Sequence, residues 1–282
     1  MIFESRAFWL PKDLAVPDAY EDAYSLDPEA GQAAICDGVS SAIFSGVWAR
    51  ILAASLAGAP PDIETPGEFD NWLKACRKAW RDSVDQADLA WHQKAKLEEG
   101  AASTALWIEL FPDDTDAGSQ GGYRFRCRAV GDCCLLHVRN EHVLSAFPMD
   151  SSGAYEQDPV ALRTRVAKQD APPTIESVEG ECQTGDLLVL ATDAVAAWAV
   201  RRLESGEQPE FEWMWNWRDE DWRAFIVGLR DENRIRHDDS TLLLLKVLPA
   251  APDGQTEVAN QTLDRLKESK AGRWLRNLAH GD

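Results

Sequence analysis

Positive charge is scarce in this sequence: 29 lysines and arginines stand against 48 aspartates and glutamates, a formal net charge of −19 over 282 residues. Like charge repels at long range, so a nucleic-acid backbone and an anionic membrane surface are excluded as partners unless one face is locally basic. Cations and basic surfaces fit better. Long apolar runs are missing too. No stretch of 18 apolar residues occurs, and Glu4, Arg6, Lys12 and Asp13 interrupt the start of the chain. Neither a membrane span nor a secretory signal is read, and a cytoplasmic protein is expected. The six cysteines (Cys36, Cys76, Cys127, Cys133, Cys134 and Cys182) form no CxxC and no zinc-ligand spacing. This argues against structural zinc and against a disulfide framework. Several sit in apolar runs, where a reduced thiol behaves as a small hydrophobe.

Apolar residues, by contrast, make up 45% of the chain, enough for a sizeable core. Four short apolar runs bounded by glycine or acid read as strands: GQAAICDG (31–38), YRFRCRAVGD (123–132), GDLLVLATDA (185–194) and STLLLLKVL (240–248). Phe44, Val47, Trp48, Ile51 and Leu52 recur at helical spacing, as do Phe69, Trp72, Leu73, Cys76, Trp80 and Val84 in a second helix that follows Pro60-Pro61 and ends near Gly100. A third helix is expected from Asp221 to Arg230. Strands, two long helices, more strands, a helix and a last strand do not alternate as a parallel βαβ protein does, so an α+β sandwich fits better. The polar stretches 112–122 and 149–160 read as loops, the first as a hairpin connection between antiparallel strands. After Pro249 the composition becomes that of a linker and a mixed-charge helical tail. Residues 1–249 are therefore expected to form one domain, with 250–282 as linker and tail.

Aspartates gather at the ends of the apolar runs: Glu21-Asp22, Asp37-Gly38, Asp132, Asp193 and Asp238-Asp239. Any one alone reads as a turn residue or helix cap. Together, at neighbouring strand ends, they would repel one another or take up protons unless a cation joined them. Hard divalent ions such as Mg²⁺ and Mn²⁺ accept such all-oxygen surroundings, and Gly38 lets backbone approach closely.

The motifs, in their order, resemble the metal-dependent protein phosphatases of type 2C in their bacterial form. The matching segments are EDAY (Glu21, Asp22), CDGVSSA (Asp37, Gly38), GAASTAL (100–106), AVGDCCL (Asp132), LATDAV (Asp193) and HDDSTLLLL (Asp238, Asp239, Thr241), spanning residues 19–248. The resemblance implies a four-layer α/β/β/α sandwich with two central antiparallel sheets. It implies two Mg²⁺ or Mn²⁺ ions at one end, and an activity on phosphoserine or phosphothreonine in a partner protein, with a Ser/Thr kinase as counterpart. Carried over residue by residue, Asp37 bridges two ions and the Gly38 carbonyl binds one. Asp193 and Asp238 complete the first ion's surroundings, Glu21 and Asp22 serve the second, and Asp132 belongs to a third, looser site. The catalytic set is then Asp37, Asp193 and Asp238, around a metal-bound water or hydroxide that attacks phosphorus. No cysteine nucleophile is needed, so Cys133 and Cys134 are assigned to the core.

The sequence departs from the family pattern in four places. Ser40 and Ser41 stand where paired glycines are usual, and their hydroxyls are expected to cap the first helix or to touch phosphate. Ala194 follows Asp193 in place of glycine. Val39 follows Asp-Gly, where animal members carry a histidine. Pro17 occupies the position of a phosphate-gripping arginine, leaving Lys12 as first choice for that charge, with Arg6 and Arg50 behind it. These losses also suit a second function, a pseudophosphatase that binds phosphoproteins or regulates. His237, next to Asp238, reads as a surface histidine or a proton shuttle. The tryptophan-rich FEWMWNWRDEDW (211–222) reads as a packed insert over one edge, or as a rim for peptide recognition.

Overall fold

The computed structural model describes residues 1–84, 91–113, 122–165 and 172–249. In chain order, the strands β1 (Phe3–Leu10), β2 (Ala23–Asp27) and β3 (Gln32–Gly38) come first. They are followed by helices α1 (Ser45–Gly58), α2 (Glu68–Ser83) and α3 (Trp91–Glu99). Strands β4 (Ala102–Pro112), β5 (Tyr123–Val130), β6 (Cys134–Arg139), β7 (His142–Phe147), β8 (Leu162–Arg163), β9 (Glu176–Cys182) and β10 (Leu187–Ala191) follow. Helices α4 (Asp193–Glu204), α5 (Phe211–Met214) and α6 (Asp219–Asp231) precede the last strand, β11 (Ser240–Val247).

The strands make two antiparallel sheets, ordered β1-β11-β10-β6-β7 and β2-β3-β4-β5-β9, with β8 paired to β4. Side chains alternate between the faces of each strand. Leu243 and Leu245 therefore join Ile35, Leu106, Ile108, Phe125 and Leu190 between the sheets. Leu242 and Leu244 face the other way, against Trp198, Trp222 and Ile226 of α4 and α6. Strand β11 is buried on both faces, which is why it reads as an unbroken leucine run. On the outer face of the second sheet, Ala34, Cys36 and Trp107 meet Trp48, Leu52, Leu56 and Trp80 of α1 and α2. The layers are helix, sheet, sheet, helix, as expected.

The expected antiparallel pair around 112–122 is present, with Leu106 opposite Ala129 and Pro112 opposite Tyr123; the connection at 114–121 lies outside the described residues, as does the tail after 249. The second helix needs correction. It stops at Ser83, Val84 is extended (φ −94, ψ 115), and a separate helix, α3, runs up to Gly100. Serine capping of α1 is also not seen. Phe44, in the left-handed region (φ 54), precedes the helix with no side-chain cap, and Ser45 Oγ donates to the Val39 carbonyl at 2.8 Å. In the tryptophan-rich segment, Trp222 is buried against Phe8, and Trp215 and Trp217 pack on the same core, while Trp213 stays exposed. All six cysteines are buried and free.

Candidate metal centre

The strand ends converge at one end of the sandwich. There β3 ends in Asp37-Gly38, β5 leads into Gly131-Asp132, β10 is followed by Thr192-Asp193, and Asp238-Asp239 open β11. Two glycines are dictated by crowding. A Cβ on Gly38 would lie 2.6 Å from the Glu21 carbonyl oxygen and 2.9 Å from Ser45 backbone, and one on Gly131 (φ +97) would lie 2.6 Å from the Val160 carbonyl oxygen. Asp193 begins α4, where the helix dipole favours a carboxylate.

The linker between β1 and β2 is clamped to β11 by buried Asp239, whose Oδ1 accepts from the Lys12 backbone N–H and Oδ2 from that of Glu21, both at 2.7 Å. Arg230, near the end of α6, donates to the carbonyls of Pro11 (2.9 Å) and Asp238 (2.6 Å), fixing the segment that carries Asp238. Buried Asp22 accepts at Oδ2 from Thr192 Oγ1 (3.0 Å) and Thr241 Oγ1 (2.6 Å), and the Tyr20 hydroxyl in turn hydrogen-bonds Thr241. The threonines thus hold one carboxylate oxygen and leave the other. Oδ1 of Asp22, Oδ1 of Asp132 and Oδ1 of Asp193 are all buried without a hydrogen-bond partner.

Electrostatics separates these groups from ordinary surface acids. Burial holds the Asp37 carboxyl well above the usual range, helped by the charges of Asp22, Asp193, Asp132 and Asp238. Burial likewise raises Asp22, with Asp239 and Asp193 adding to it, against the lowering effect of its threonine hydrogen bonds. Asp132 is pushed up to about 7 by burial and then by Asp193. Asp193 is raised by burial, and the Arg236 guanidinium partly offsets this. Asp22, Asp37, Asp132, Asp193 and Asp238 therefore form one interacting cluster.

Two basic side chains stand in it. Lys12 Nζ donates to Glu21 Oε2 at 2.6 Å and to Ser40 Oγ, and lies 3.8 Å from Asp238 Oδ1. Arg236 pairs with Asp193 Oδ2 and donates to the Tyr155 carbonyl. Lys12, the expected phosphate-gripping charge, thus lies among the acids and is already paired with Glu21. Arg6 lies in mid-β1 opposite Leu244, whereas the acidic end of that strand is marked by Leu10 opposite Ser240. Arg230 and Arg236 were missed; the signal for Arg236 was the pair of arginines in RIRHDDST, immediately before the acidic motif. Exposed His237 lines a cleft of about 560 Å³ with Lys12, Leu14 and Arg230. Cys133, beside Asp132, is held well above the ordinary thiol range by burial, with Thr104 Oγ1 3.2 Å from its sulfur, and is no nucleophile.

As the side chains lie, no group of three or more His, Cys, Asp or Glu among the described residues forms a ready cage for a metal ion. The donor chemistry still fits hard divalent ions. All donors are oxygen, and three buried carboxylate oxygens have no partner of their own, a costly arrangement unless a cation supplies one.

A family model described as Protein phosphatase 2C matches residues 13–225. No curated protein matches the sequence. Among solved structures, the Mycobacterium tuberculosis serine/threonine phosphatase PstP/Ppp is similar at 17% identity and a TM-score of 0.53, over 88% of this chain and all of that one. A bacterial serine phosphatase is similar at 14% identity and a TM-score of 0.54, over 88% and 99%. PppA, a regulatory component of T6SS in Pseudomonas aeruginosa, is similar at 18% identity and a TM-score of 0.50, over 88% and 99%.

Proposed function

From the premise that the chain belongs to the protein phosphatase 2C family, we propose that it is a metal-dependent phosphatase of phosphoserine and phosphothreonine in proteins, opposing a Ser/Thr kinase. The observation that carries this reading is the set of unpartnered buried oxygens on Asp22, Asp132 and Asp193, in a cluster where burial and neighbouring charge raise the proton affinity of Asp22, Asp37, Asp132 and Asp193. In this reading Asp37 would serve both of two Mg²⁺ or Mn²⁺ ions and the Gly38 carbonyl one of them, with Asp193 and Asp238 completing the surroundings of the first. Glu21 and Asp22 hold the second, and Asp132 contributes to a third, looser site. Such ions, when bound, activate water at neutral pH and neutralise charge on phosphoryl oxygens.

The chain's own part is to orient and to balance charge. Asp239 and Arg230 fix the segments that carry Glu21 and Asp238, so these carboxylates reach the site pre-positioned. Thr192 and Thr241 commit one oxygen of Asp22 and leave Oδ1 for a ligand. Lys12 brings an ammonium beside Glu21 and Asp238. No acid side chain follows Asp37-Gly38, Val39 being apolar, so proton delivery to the leaving alkoxide of a phosphoserine or phosphothreonine falls to water. Among the described residues no helix is long and apolar enough to cross a membrane, and a cytoplasmic site of action is part of the proposal.

Hydrolysis of an aryl phosphate and a phosphothreonine peptide, with Mn²⁺, Mg²⁺ or chelator, tests the reading. Wild type is expected to turn both over only with metal, and Asp37→Asn to fall by about 100-fold or more. A second reading, a phosphoprotein-binding pseudophosphatase, draws on the absence of a ready cage among the described residues and on the two basic side chains already paired with Glu21 and Asp193. Folded, metal-binding wild type that turns over neither substrate would overturn the enzymatic reading in favour of this one.

A further inference from the structure

A phosphate dianion approaching five clustered carboxylates needs positive charge at the rim as well as any charge held within. Among the described residues, two basic side chains pair with the acids of this centre, and they differ in what they have left to give. The Lys12 ammonium is 26% exposed and carries three donors. Glu21 and Ser40 engage two of them, and Asp238 lies 3.8 Å away. Arg236 is 44% exposed and carries five donors in a planar fork. Two protein acceptors, Asp193 Oδ2 and the Tyr155 carbonyl, are hydrogen-bonded to it.

The backbone that carries Arg236 is fixed. Asn233 turns through the left-handed region (φ 55), the Arg234 N–H bonds the Leu229 carbonyl at 2.8 Å, and Ile235 is buried in the core beneath α6. Arg236 itself closes a turn, its carbonyl accepting from the Asp238 N–H at 3.0 Å. A fixed base under a half-exposed fork, already seated on an anionic oxygen, is an arrangement that recognises a tetrahedral oxyanion through two parallel hydrogen bonds.

We infer that Arg236 is the residue that grips the substrate's phosphate, with Lys12 serving as the internal counter-ion of Glu21. This rests on the phosphatase reading, and it predicts a loss of substrate affinity rather than of the chemical step. The test uses the full chain at saturating Mn²⁺, with p-nitrophenyl phosphate as substrate and inorganic phosphate as a ligand that is not turned over. Phosphate binding is followed by calorimetry, and Mn²⁺ is titrated into each variant separately. Arg236→Gln is expected to raise KM and the phosphate dissociation constant together, about 10-fold or more, with kcat changed less than about 3-fold. Arg236→Lys, which keeps the charge without the fork, is expected to recover part of both.

An Arg236→Gln protein with KM and phosphate binding within 2-fold of wild type would overturn the inference. The same holds if only its Mn²⁺ affinity changes, since Arg236 would then be no more than the counter-ion of Asp193. Should Arg236→Gln not fold, Arg236→Lys carries the test, and wild-type phosphate affinity in that variant overturns it. If wild type binds phosphate but hydrolyses nothing, the enzymatic reading fails on its own, and the phosphate titrations still decide the role of Arg236.

Discussion

Asp238 and Asp239 are chemically identical neighbours with different surroundings. Asp239 is buried with both oxygens committed to backbone N–H groups, whereas Asp238 is 35% exposed at its side chain, commits only Oδ1 to a backbone N–H, that of Asp239 at 2.9 Å, and faces Lys12. In the proposed function, the acid that organises the site and the acid offered to a metal ion are thus told apart by what their oxygens already hold. Gly38 makes the same point for the backbone. Gly38→Ala would drive a methyl into the Glu21 carbonyl and Ser45, and is expected to cost about 1–3 kcal/mol in urea unfolding. The same change should weaken metal binding, because relief of the clash moves Glu21; a calorimetric Mn²⁺ titration reads that directly. At this scale the sequence was most legible for carboxylates, since strand ends with acids in a fixed order are a linear pattern. Arg230 and Arg236 were not legible in the same way. Their partners, Pro11 and Asp193, lie far away in the chain, and only the closed sheet brings them together.

Elements were legible where burial is one-sided or where apolar runs are bounded by turns. The stripes of α1 and α2 and the runs of β3, β5, β10 and β11 could be read directly. Helix α4 could not, because AVAAWAV is buried on nearly every side and shows no polar face to give a helical period. Strand β9, ESVEGEC, hides for the opposite reason: it is a mostly exposed edge strand with little apolar content. Away from the acidic end, β6 and the turn before β10 are tied by Asp186, which accepts from His137 Nε2 at 2.8 Å, from Arg139 Nε and Nη2 at 2.7 Å each, and from the Gln183 N–H at 2.9 Å. Although burial raises it, hydrogen bonds from Arg139, His137 and Gln183 bring this carboxyl down to about 2 from its ordinary 3.8. A depressed carboxyl pKa gives stability that is fully present above about pH 4 and lost as pH falls through about 2. Asp186→Asn is expected to lose about 2 kcal/mol near neutrality and to flatten the acid limb of the pH–stability curve between pH 4 and 2. Equal acid sensitivity in wild type and variant would refute this.

For the molecule as a whole, the charge is unevenly shared. Residues 250–282 hold equal numbers of acidic and basic side chains, so the whole formal charge of −19 belongs to residues 1–249. Among the described residues, that part contains the pairings of the two sheets, with the Leu248 N–H on the Ile2 carbonyl at 2.9 Å near its end. With the proposed boundary at 249, a chain cut there is expected to unfold cooperatively within about 2 °C of the full protein. A larger drop or a broadened transition would place residues of the tail within the cooperative unit.

Strand β11 lies inside its sheet, one place from the edge. β11 lies between β1, the first strand, and β10, and the loop before it carries Asp238. On the ribosome, a nascent chain that has not yet emerged beyond Asp238 has β1 without its neighbour and a carboxylate cluster without its final member. Synthesis thus supplies the interior strand of this sheet and the last carboxylate of the acidic centre nearly together, and a chain terminated before Asp238 would be released with neither.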